Sequence, residues 1–438
     1  MTFSQISFSL NPAQKDFVER VSMVLARFKG DDYYAYEQTG AWYLGLGIHA
    51  SLLVDAKGET ATVITGARRE EHPVQSSLAQ TARDFLSNHA RPGHKTFGQV
   101  GYNYAAHVRG IPFQSGHWPL LSLLVPRTEI TFHQDQVTLT GSNDAELKEL
   151  SALIIGDTSI ELGPCLNIDT KDPTGEYIAR VQRAQEEIDE GNYTKVIPSR
   201  AVHLAGRVDM AATLLRGRRA NDPARSFSFS QAEFQATGFS PELVMSVQDG
   251  IVATEPLAGT RSRLGTSEKV ERLAEELTHD TKEIVEHVIS VKEAMTELEQ
   301  LCVPGTAATN DLMSVRARGS VQHLGSRVSG KLAADKDPWD ALAVIFPSIT
   351  ASGIPKQAAL EGIQRLESEP RELYSGAVLM LDGPESFEAS LVLRTVFQDH
   401  HHSWVQAGAG VITQSKPDRE LTETREKLAS VAPFVVAE

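Results

Sequence analysis

Two ionisable side chains interrupt strand-like segments of the sequence. Lys195 lies in the run NYTKVIPSR beside Val and Ile, where a lysine is either an edge residue that reaches water or a buried base. The pattern alone favours the edge, because lysines are seldom fully buried. Glu242 lies in GFSPELV, between a Ser-Pro turn and an apolar strand. Such loop ends carry catalytic acids, but they also carry ordinary turn carboxylates, which this pattern favours.

Carboxylates recur at helical spacing in two predicted helices. KEIVEH contains Glu283 and Glu286, and RELTETREK contains Glu420, Glu423 and Lys427. Carboxylates from two helices could share a hard divalent cation, and Mg²⁺ suits such ligands better than zinc does. The periodicity alone predicts a solvated face instead, since the polar arc of the first helix continues to Glu297. The pair on the second helix would then be a surface ion pair.

Glycines follow two further strand-like segments. In TEPLAGTR a strand is predicted to end in Ala258, Gly259 and Thr260, and AGAGV contains Gly408 and Gly410. Both segments let the backbone approach a ligand closely, and the first also offers N–H groups and a hydroxyl to an anion. Neither is a Walker or dinucleotide motif, and tight packing between sheets explains the glycines equally well.

Other metal and redox chemistries are disfavoured. The run His400–His402 lies between two strand-like segments and is interpreted as an exposed hairpin turn. EIVEH is neither HExxH nor its inverse, so a metallopeptidase is not expected. Cys165 and Cys302 are too few for a CxxC metal site or a disulfide framework, which suits a reducing cytosol.

Composition and charge limit the possible partners. The 438 residues are 41% hydrophobic with a formal net charge of -15, which argues against a large surface for nucleic acid or anionic membrane. The longest apolar stretches, such as WPLLSLLV, are too short to span a membrane. The N-terminal stretch MTFSQISFSLNPAQKDF lacks the features of a signal peptide. We therefore expect a cytoplasmic protein.

The elements that would position these residues change character along the chain. Residues 31–140 alternate apolar and polar positions around turn signals, which predicts antiparallel strands with few helices. A helix is predicted to begin at Asp172-Pro173, to bury Tyr177, Ile178, Val181, Ala184 and Ile188, and to end before Gly191. Later strands are interleaved with long helices, the longest predicted from about Ser267 to Leu301. Strands and helices do not alternate one for one, which favours an α+β architecture.

Ten segments in this order resemble the chorismate-utilising enzymes, and within them the salicylate synthases of siderophore pathways. They are YTKVIPSR, GFSPELV, TEPLAGTR, KEIVEH, RGSVQHLGS, TASGIPK, LYSGAV, LVLR, AGAGV and RELTETREK. The resemblance implies one α+β domain over 1–438, with two stacked, mainly antiparallel sheets surrounded by helices. Residues 1–170 would form its strand-rich part and 171–438 would carry most of the site.

The resemblance also implies a role for each matched residue. Lys195 would deprotonate the water that attacks ring carbon 2, Glu242 would protonate the departing C4 hydroxyl, and His323 would lie beside the ring as a third catalytic residue. Glu286 and Glu423 would hold Mg²⁺, with Glu283 and Glu420 supporting them directly or through water. The substrate-binding residues would be Gly259, Thr260, Thr350, Tyr374, Arg394, Gly408 and Lys427.

Members of this family make different products from chorismate. Lys195 favours water as the nucleophile, because relatives that add ammonia generally have Gln there, and TASGIPK favours continuing to salicylate. Pro198 is instead frequent in amine-adding relatives. The resemblance therefore implies a salicylate synthase that uses Mg²⁺, needs no glutaminase subunit and is a monomer. The alternatives are an isochorismate synthase, an amine-adding synthase and a non-catalytic chorismate-binding protein.

Overall fold

Long antiparallel strands form the framework of the chain. The computed structural model describes residues 3–11, 14, 16–156, 159–383 and 386–438, so parts of the N-terminal stretch discussed above lie outside the described residues. The strands there are β1 (Ser4–Ser9), β2 (Tyr33–Gln38), β3 (Ala41–Val54), β4 (Thr60–Thr65), β5 (Arg68–Pro73), β6 (Lys95–Val100), β7 (Leu121–His133), β8 (Gln136–Gly141), β9 (Lys195–Val196), β10 (Ser199–His203), β11 (Arg225–Gln231), β12 (Phe234–Ser240), β13 (Leu243–Gln248), β14 (Ile251–Thr254), β15 (Leu257–Ser262), β16 (Ala308–Arg318), β17 (Val321–Lys331), β18 (Gly353–Ile354), β19 (Ala377–Asp382), β20 (Ser386–Leu391), β21 (Thr395–Gln398) and β22 (Ser403–Gly408).

Helices cover the strands from outside and close the site. They are α1 (Phe17–Arg27), α2 (Leu78–His89), α3 (Tyr104–Val108), α4 (Asp144–Ile155), α5 (Glu176–Asp189), α6 (Met210–Ala220), α7 (Ser267–His279), α8 (Thr281–Glu299), α9 (Pro338–Ile345), α10 (Lys356–Leu366) and α11 (Pro417–Leu428), with short 3₁₀ turns at Ile349–Ala351 and Ala432–Phe434. Helix α8 packs on β15 and β17, and α11 packs on α5 and β22. No helix in the described ranges is long and apolar enough to cross a membrane.

Two long strands, β3 and β7, join the sheet system. They pair along their length, with a register shift between Ile48 and Ala50 where β3 changes partner from β2 to β4. One run of strands continues as β2, β11, β12, β21, β22 and β10. The other continues as β6, β19, β20, β13, β14 and β17, with β15 and β16 also on β17. Every one of these pairings is antiparallel, which confirms the predicted α+β class. Strands of the first 170 residues pair with later ones, β2 with β11 and β6 with β19.

Two helix predictions were wrong in their bounds. Helix α5 begins at Glu176 rather than at Pro173, because the Asp172 carboxylate accepts bonds from the Thr174 hydroxyl and the Tyr177 N–H and forms a turn before the helix. The predicted helix from Ser267 to Leu301 is two helices, α7 and α8. Asp280 separates them and caps α8, since its side chain accepts bonds from the N–H groups of Lys282 and Glu283. The predicted histidine turn is confirmed: His400–His402 are exposed between β21 and β22.

Candidate active site

One cavity gathers all but two of the predicted site residues. It lies between β15, β17, β22, α8 and α11, and the space there that is free of protein atoms is about 730 Å³ when the part open to solvent is included. The predicted residues that line it are Lys195, Glu242, Gly259, Thr260, Glu286, His323, Thr350, Tyr374, Arg394, Gly408, Glu423 and Lys427. Glu283 and Glu420 line an adjoining cleft instead, and Glu423 lines both spaces.

Glu242 lies in the turn between β12 and β13 and is 1% exposed. Its Oε1 accepts hydrogen bonds from the Ser348 hydroxyl at 2.6 Å and the Thr350 hydroxyl at 3.0 Å. Burial raises the pKa of Glu242 to about 8, although both hydroxyl bonds lower it. A proton therefore stays on this carboxyl at neutral pH. It belongs on Oε2, which has no hydrogen-bond partner within the part of the chain that the structure describes.

Lys195 is 3% exposed, so the edge position favoured by its sequence pattern was wrong. Its strand β9 pairs with β18, which carries it into the interior. The Nζ lies 2.9 Å from Glu286 Oε1 and donates to the Ser290 hydroxyl at 3.3 Å. Gly410 permits this approach, because a Cβ there would fall 2.8 Å from Glu286 Oε1. The Lys195 ammonium group and the neutral Glu242 carboxyl thus line the same cavity.

The acidic arc of α8 faces the interior, so the solvated face predicted from its periodicity was wrong. Glu283, Glu286, Ser290 and Glu297 are all buried. The opposite side of the helix carries the exposed residues, with Val285 47% accessible to solvent. The helix is inverted relative to a usual amphipathic helix because its polar face borders a polar cavity.

The four predicted metal carboxylates are each paired with a cation. Glu286 pairs with Lys195, and the other pairs are Glu283 with Arg261 at 3.1 Å, Glu420 with Lys282 at 3.3 Å and Glu423 with Lys427 at 2.9 Å. The last of these was predicted as a surface pair, but Glu423 and Lys427 both line the cavity.

The acids in this layer repel one another. Burial, followed by the charges of Glu286 and Glu423, raises the pKa of Glu283. Burial and the Glu423 charge likewise raise the pKa of Glu420, whose Oε2 has no hydrogen-bond partner among the residues described. Hard carboxylate oxygens, mutual repulsion and an unpartnered buried acceptor fit a site for Mg²⁺. No group of three or more such ligands is gathered within the described ranges, so water and substrate oxygens would have to complete the coordination.

A buried arginine and a neutral histidine form another wall of the cavity. His323 Nδ1 lies 2.8 Å from the Gly259 carbonyl oxygen, so Nδ1 carries the hydrogen and Nε2 accepts from Arg394 Nη2 at 2.6 Å. Burial and the Arg394 charge lower the pKa of His323 to about 3, which keeps the ring neutral. His323 is therefore an acceptor that orients Arg394.

Arg394 is 6% exposed and adopts φ 52°, which is uncommon for a residue other than glycine. Its Nη1 donates to the Arg318 carbonyl at 2.9 Å. Burial and Arg318 lower its pKa to about 9, and no carboxylate in the described part of the chain lies within ion-pair distance. A buried guanidinium without a counter-charge favours binding of a planar anion. Tyr374, Gly408 and Lys427 line the same cavity.

Comparisons with known proteins agree with this geometry. A family model described as chorismate binding enzyme matches residues 31–433. This chain belongs to that family. A salicylate synthase from Mycolicibacterium paratuberculosis is 36% identical over 98% of this chain and 94% of its own length. Anthranilate synthase component 1 from Methanothermobacter thermautotrophicus is 30% identical, with 89% and 85% covered.

Solved structures of other family members share the fold. Anthranilate synthase component I from Streptococcus pneumoniae has a TM-score of 0.74 at 21% identity, covering 91% of this chain and 92% of that one. MenF, the menaquinone-specific isochorismate synthase from Escherichia coli, has a TM-score of 0.72 at 22% identity, covering 99% and 94%. The architecture of this chain is thus that of the chorismate-utilising enzymes.

Sequence reasoning missed three polar residues that bond the proposed acid and base or line the cavity beside them. Ser348 bonds Glu242, Ser290 bonds Lys195, and Gln406 lines the cavity. Ser348 lies close to the TASGIPK segment, and this proximity was the available signal. Nothing local marks the other two.

Proposed function

We propose that this chain is a Mg²⁺-dependent salicylate synthase that converts chorismate to isochorismate and then to salicylate and pyruvate. The observation that carries the proposal is the pair of buried groups in one cavity: the neutral carboxyl of Glu242 and the ε-amino nitrogen of Lys195. The full-length similarity to a salicylate synthase supports the choice of product.

The first step adds a hydroxyl from water at ring carbon C2 and removes the hydroxyl from ring carbon C4. Neutral water is a weak nucleophile and hydroxide is a poor leaving group, so a base and an acid each contribute about 10²–10⁴-fold. Lys195 takes a proton from the water that attacks C2, and Glu242 gives the proton on Oε2 to the C4 hydroxyl as it leaves. Lys195 must be the free amine to do this, so the ammonium group of the Glu286 pair first releases one proton to solvent water.

The second step removes pyruvate from isochorismate. A hydrogen passes from C2 to the methylene carbon of the enolpyruvyl group while the C3–O bond breaks, which leaves an aromatic ring and needs no further acid or base. The chain contributes by holding the substrate in the reactive conformation. Arg394, oriented by His323, binds the enolpyruvyl carboxylate in this proposal, with Tyr374 and the Gly408 backbone beside it.

Glu286 and Glu423 would hold Mg²⁺ at the floor of the cavity, with Glu283 and Glu420 behind them. When bound there, the cation supplies positive charge that neutralises the ring carboxylate. In the adjoining cleft, Arg261 and Lys282 balance the negative charges of Glu283 and Glu420, respectively.

The test is the product formed from chorismate and Mg²⁺ by the purified chain. We expect salicylate, detected by its fluorescence, and one pyruvate for each salicylate, measured with a coupled dehydrogenase. Isochorismate without pyruvate would identify an isochorismate synthase, and a product that requires ammonium would identify an amine-adding enzyme. Either result would refute the proposal.

Two variants separate an enzyme from a binding protein. Lys195→Met should abolish turnover while chorismate still binds, and Lys148→Met is the matched control because Lys148 is exposed on α4. If the wild-type chain binds chorismate and neither consumes it nor differs from Lys195→Met, the chain is a non-catalytic binding protein.

A further inference from the structure

One short segment contacts both of the proposed acid–base groups. Residues 348–354 follow α9 and begin with the two hydroxyls, on Ser348 and Thr350, that bind Glu242. The same segment ends in β18, which pairs with β9, the strand of Lys195. Its two ends therefore touch the acid and the base.

The contact with the lysine strand is made by backbone groups. The Thr194 N–H donates to the Ile354 carbonyl at 2.8 Å, and the Ile197 N–H donates to the Ser352 carbonyl at 3.0 Å. Gly353 has φ 143°, and a Cβ there would fall 2.1 Å from the Lys195 carbonyl oxygen. Only glycine allows this approach.

Arg371 lies outside the cavity and links residues 348–354 to the segment that contains Lys195. Its Nη1 donates to the Ala351 carbonyl at 2.9 Å and its Nη2 to the Ile197 carbonyl at 2.5 Å. Ala351 and Ile197 both line the cavity, whereas Arg371 does not. Arg371 is 2% exposed, and each of its three guanidinium nitrogens donates to a protein acceptor.

Glu367 holds the same guanidinium in a bidentate ion pair. Arg371 Nε donates to Glu367 Oε2 at 2.8 Å and Nη2 to Oε1 at 2.6 Å. Glu367 Oε1 also accepts from the Ser199 N–H at 2.7 Å, and the Ser199 hydroxyl accepts from Gln406 Nε2 at 2.9 Å. Since Gln406 lines the cavity, the network runs from one cavity wall to another.

We propose that Arg371 is a positioning residue that sets the separation between the backbone of Lys195 and the segment that holds Glu242. This rests on the proposed function, in which the two groups act at opposite ends of one ring. An error of about 1 Å in such a separation is enough to lower turnover about 10²-fold. The fork of Arg371 makes four bonds at once, two to carbonyls and two to the Glu367 carboxylate, whereas a lysine ammonium has only three N–H donors on one nitrogen.

The test is Arg371→Lys, which keeps the positive charge beside Glu367 and removes the fork. We expect kcat for chorismate consumption to fall about 10²-fold with KM within about threefold of wild type, since the Arg371 side chain donates no hydrogen bond to a proposed substrate-binding residue. Amide hydrogen exchange should accelerate in the peptides that contain Thr194–Ile197 and 349–354. The matched control is Arg225→Lys, because the half-buried Arg225 forms a bidentate pair with the buried Glu388 outside the cavity.

The control should lose thermal stability and keep kcat. If Arg371→Lys loses no more kcat than Arg225→Lys, or loses it without faster exchange in both peptides, the positioning role is wrong. Should Arg371→Lys fail to fold, Glu367→Gln is measured instead. The expected result is the same: a lower kcat together with faster amide exchange in both peptides. A wild-type chain that consumes no chorismate would refute the proposed function, whereas the exchange experiment would still decide whether Arg371 joins the two segments.

Discussion

Glu242 is proposed to act as an acid because its burial keeps it protonated, and that burial has a cost in stability. The folded pKa of about 8 lies above the ordinary value of 4.5. The folded protein therefore retains a proton that the unfolded chain loses, and stability falls as the pH rises from 4.5 to about 8. Above that window the carboxyl destabilises the fold by about 5 kcal/mol relative to its state at low pH.

Glu242→Gln removes the titration and keeps the shape. The amide oxygen can still accept from the Ser348 and Thr350 hydroxyls. We expect the variant to gain stability relative to wild type as pH rises, at about 1.4 kcal/mol for each pH unit within the window. The gain should be about 3 kcal/mol larger at about pH 9 than at about pH 6. Turnover should fall about 10²–10⁴-fold through loss of the acid.

The assay is urea unfolding of both proteins at a series of pH values. Other titrating groups cancel in the difference between the two free energies of unfolding, so this difference isolates Glu242. A difference that stays constant with pH would mean that the carboxyl titrates normally, and the assignment of Glu242 as a neutral acid would be wrong. Retained turnover in the variant would contradict its catalytic role independently.

Three further predictions concern the groups around the acid. In the wild type the Ser348 hydroxyl bond lowers the pKa of Glu242, so Ser348→Ala should raise that pKa. The high-pH limb of kcat/KM, expected at about pH 8 for the wild type, should therefore move to higher pH. An unmoved limb would contradict this. Arg394→Met should raise KM for chorismate about 10–100-fold, the loss expected for a buried charged hydrogen bond; an unchanged KM in steady-state assays would remove Arg394 from the anion site. EDTA should abolish turnover, and Glu286→Gln should raise the Mg²⁺ concentration needed for half-maximal rate, while equal titration curves for variant and wild type would place the metal elsewhere.

Local patterns were sufficient for most strands. The alternation in SFSFSQ gave β11, and the run between TVFQ and SWVQ gave the hairpin turn at His400–His402. Such signals depend on neighbours within a few residues, so one sequence contains them in full. The break at Asp280 had a local signal that the single-helix prediction overlooked, since an Asp three residues before a Glu is typical of a helix start.

Burial of the functional groups could not be predicted in this way. Lys195 lies in a two-residue strand, and the bonds that bury it reach Ile354, 160 residues from Thr194 along the chain. The Ser348 hydroxyl that binds Glu242 is 106 residues away from it. These contacts depend on tertiary packing, which no local pattern records.

Helix α8 shows a second limit. Its polar arc has the period of a solvated face, but this arc faces a cavity lined with charged groups. Periodicity identifies which residues share a face and does not identify what the face contacts. Only the ordered set of motifs indicated that these carboxylates are internal.

The central claim is that water adds to the ring at C2 with Lys195 as base and Glu242 as acid. The most direct measurement is the mass of salicylate formed from chorismate in H₂¹⁸O. Because the C4 hydroxyl leaves and the C3 oxygen departs with pyruvate, the phenolic oxygen of the salicylate must come from solvent. We expect one ¹⁸O atom in each salicylate from the wild-type chain, and we expect Lys195→Met and Glu242→Gln to form this product at least about 10²–10⁴-fold more slowly. Salicylate without ¹⁸O, or labelled salicylate formed at the wild-type rate by either variant, would contradict the account.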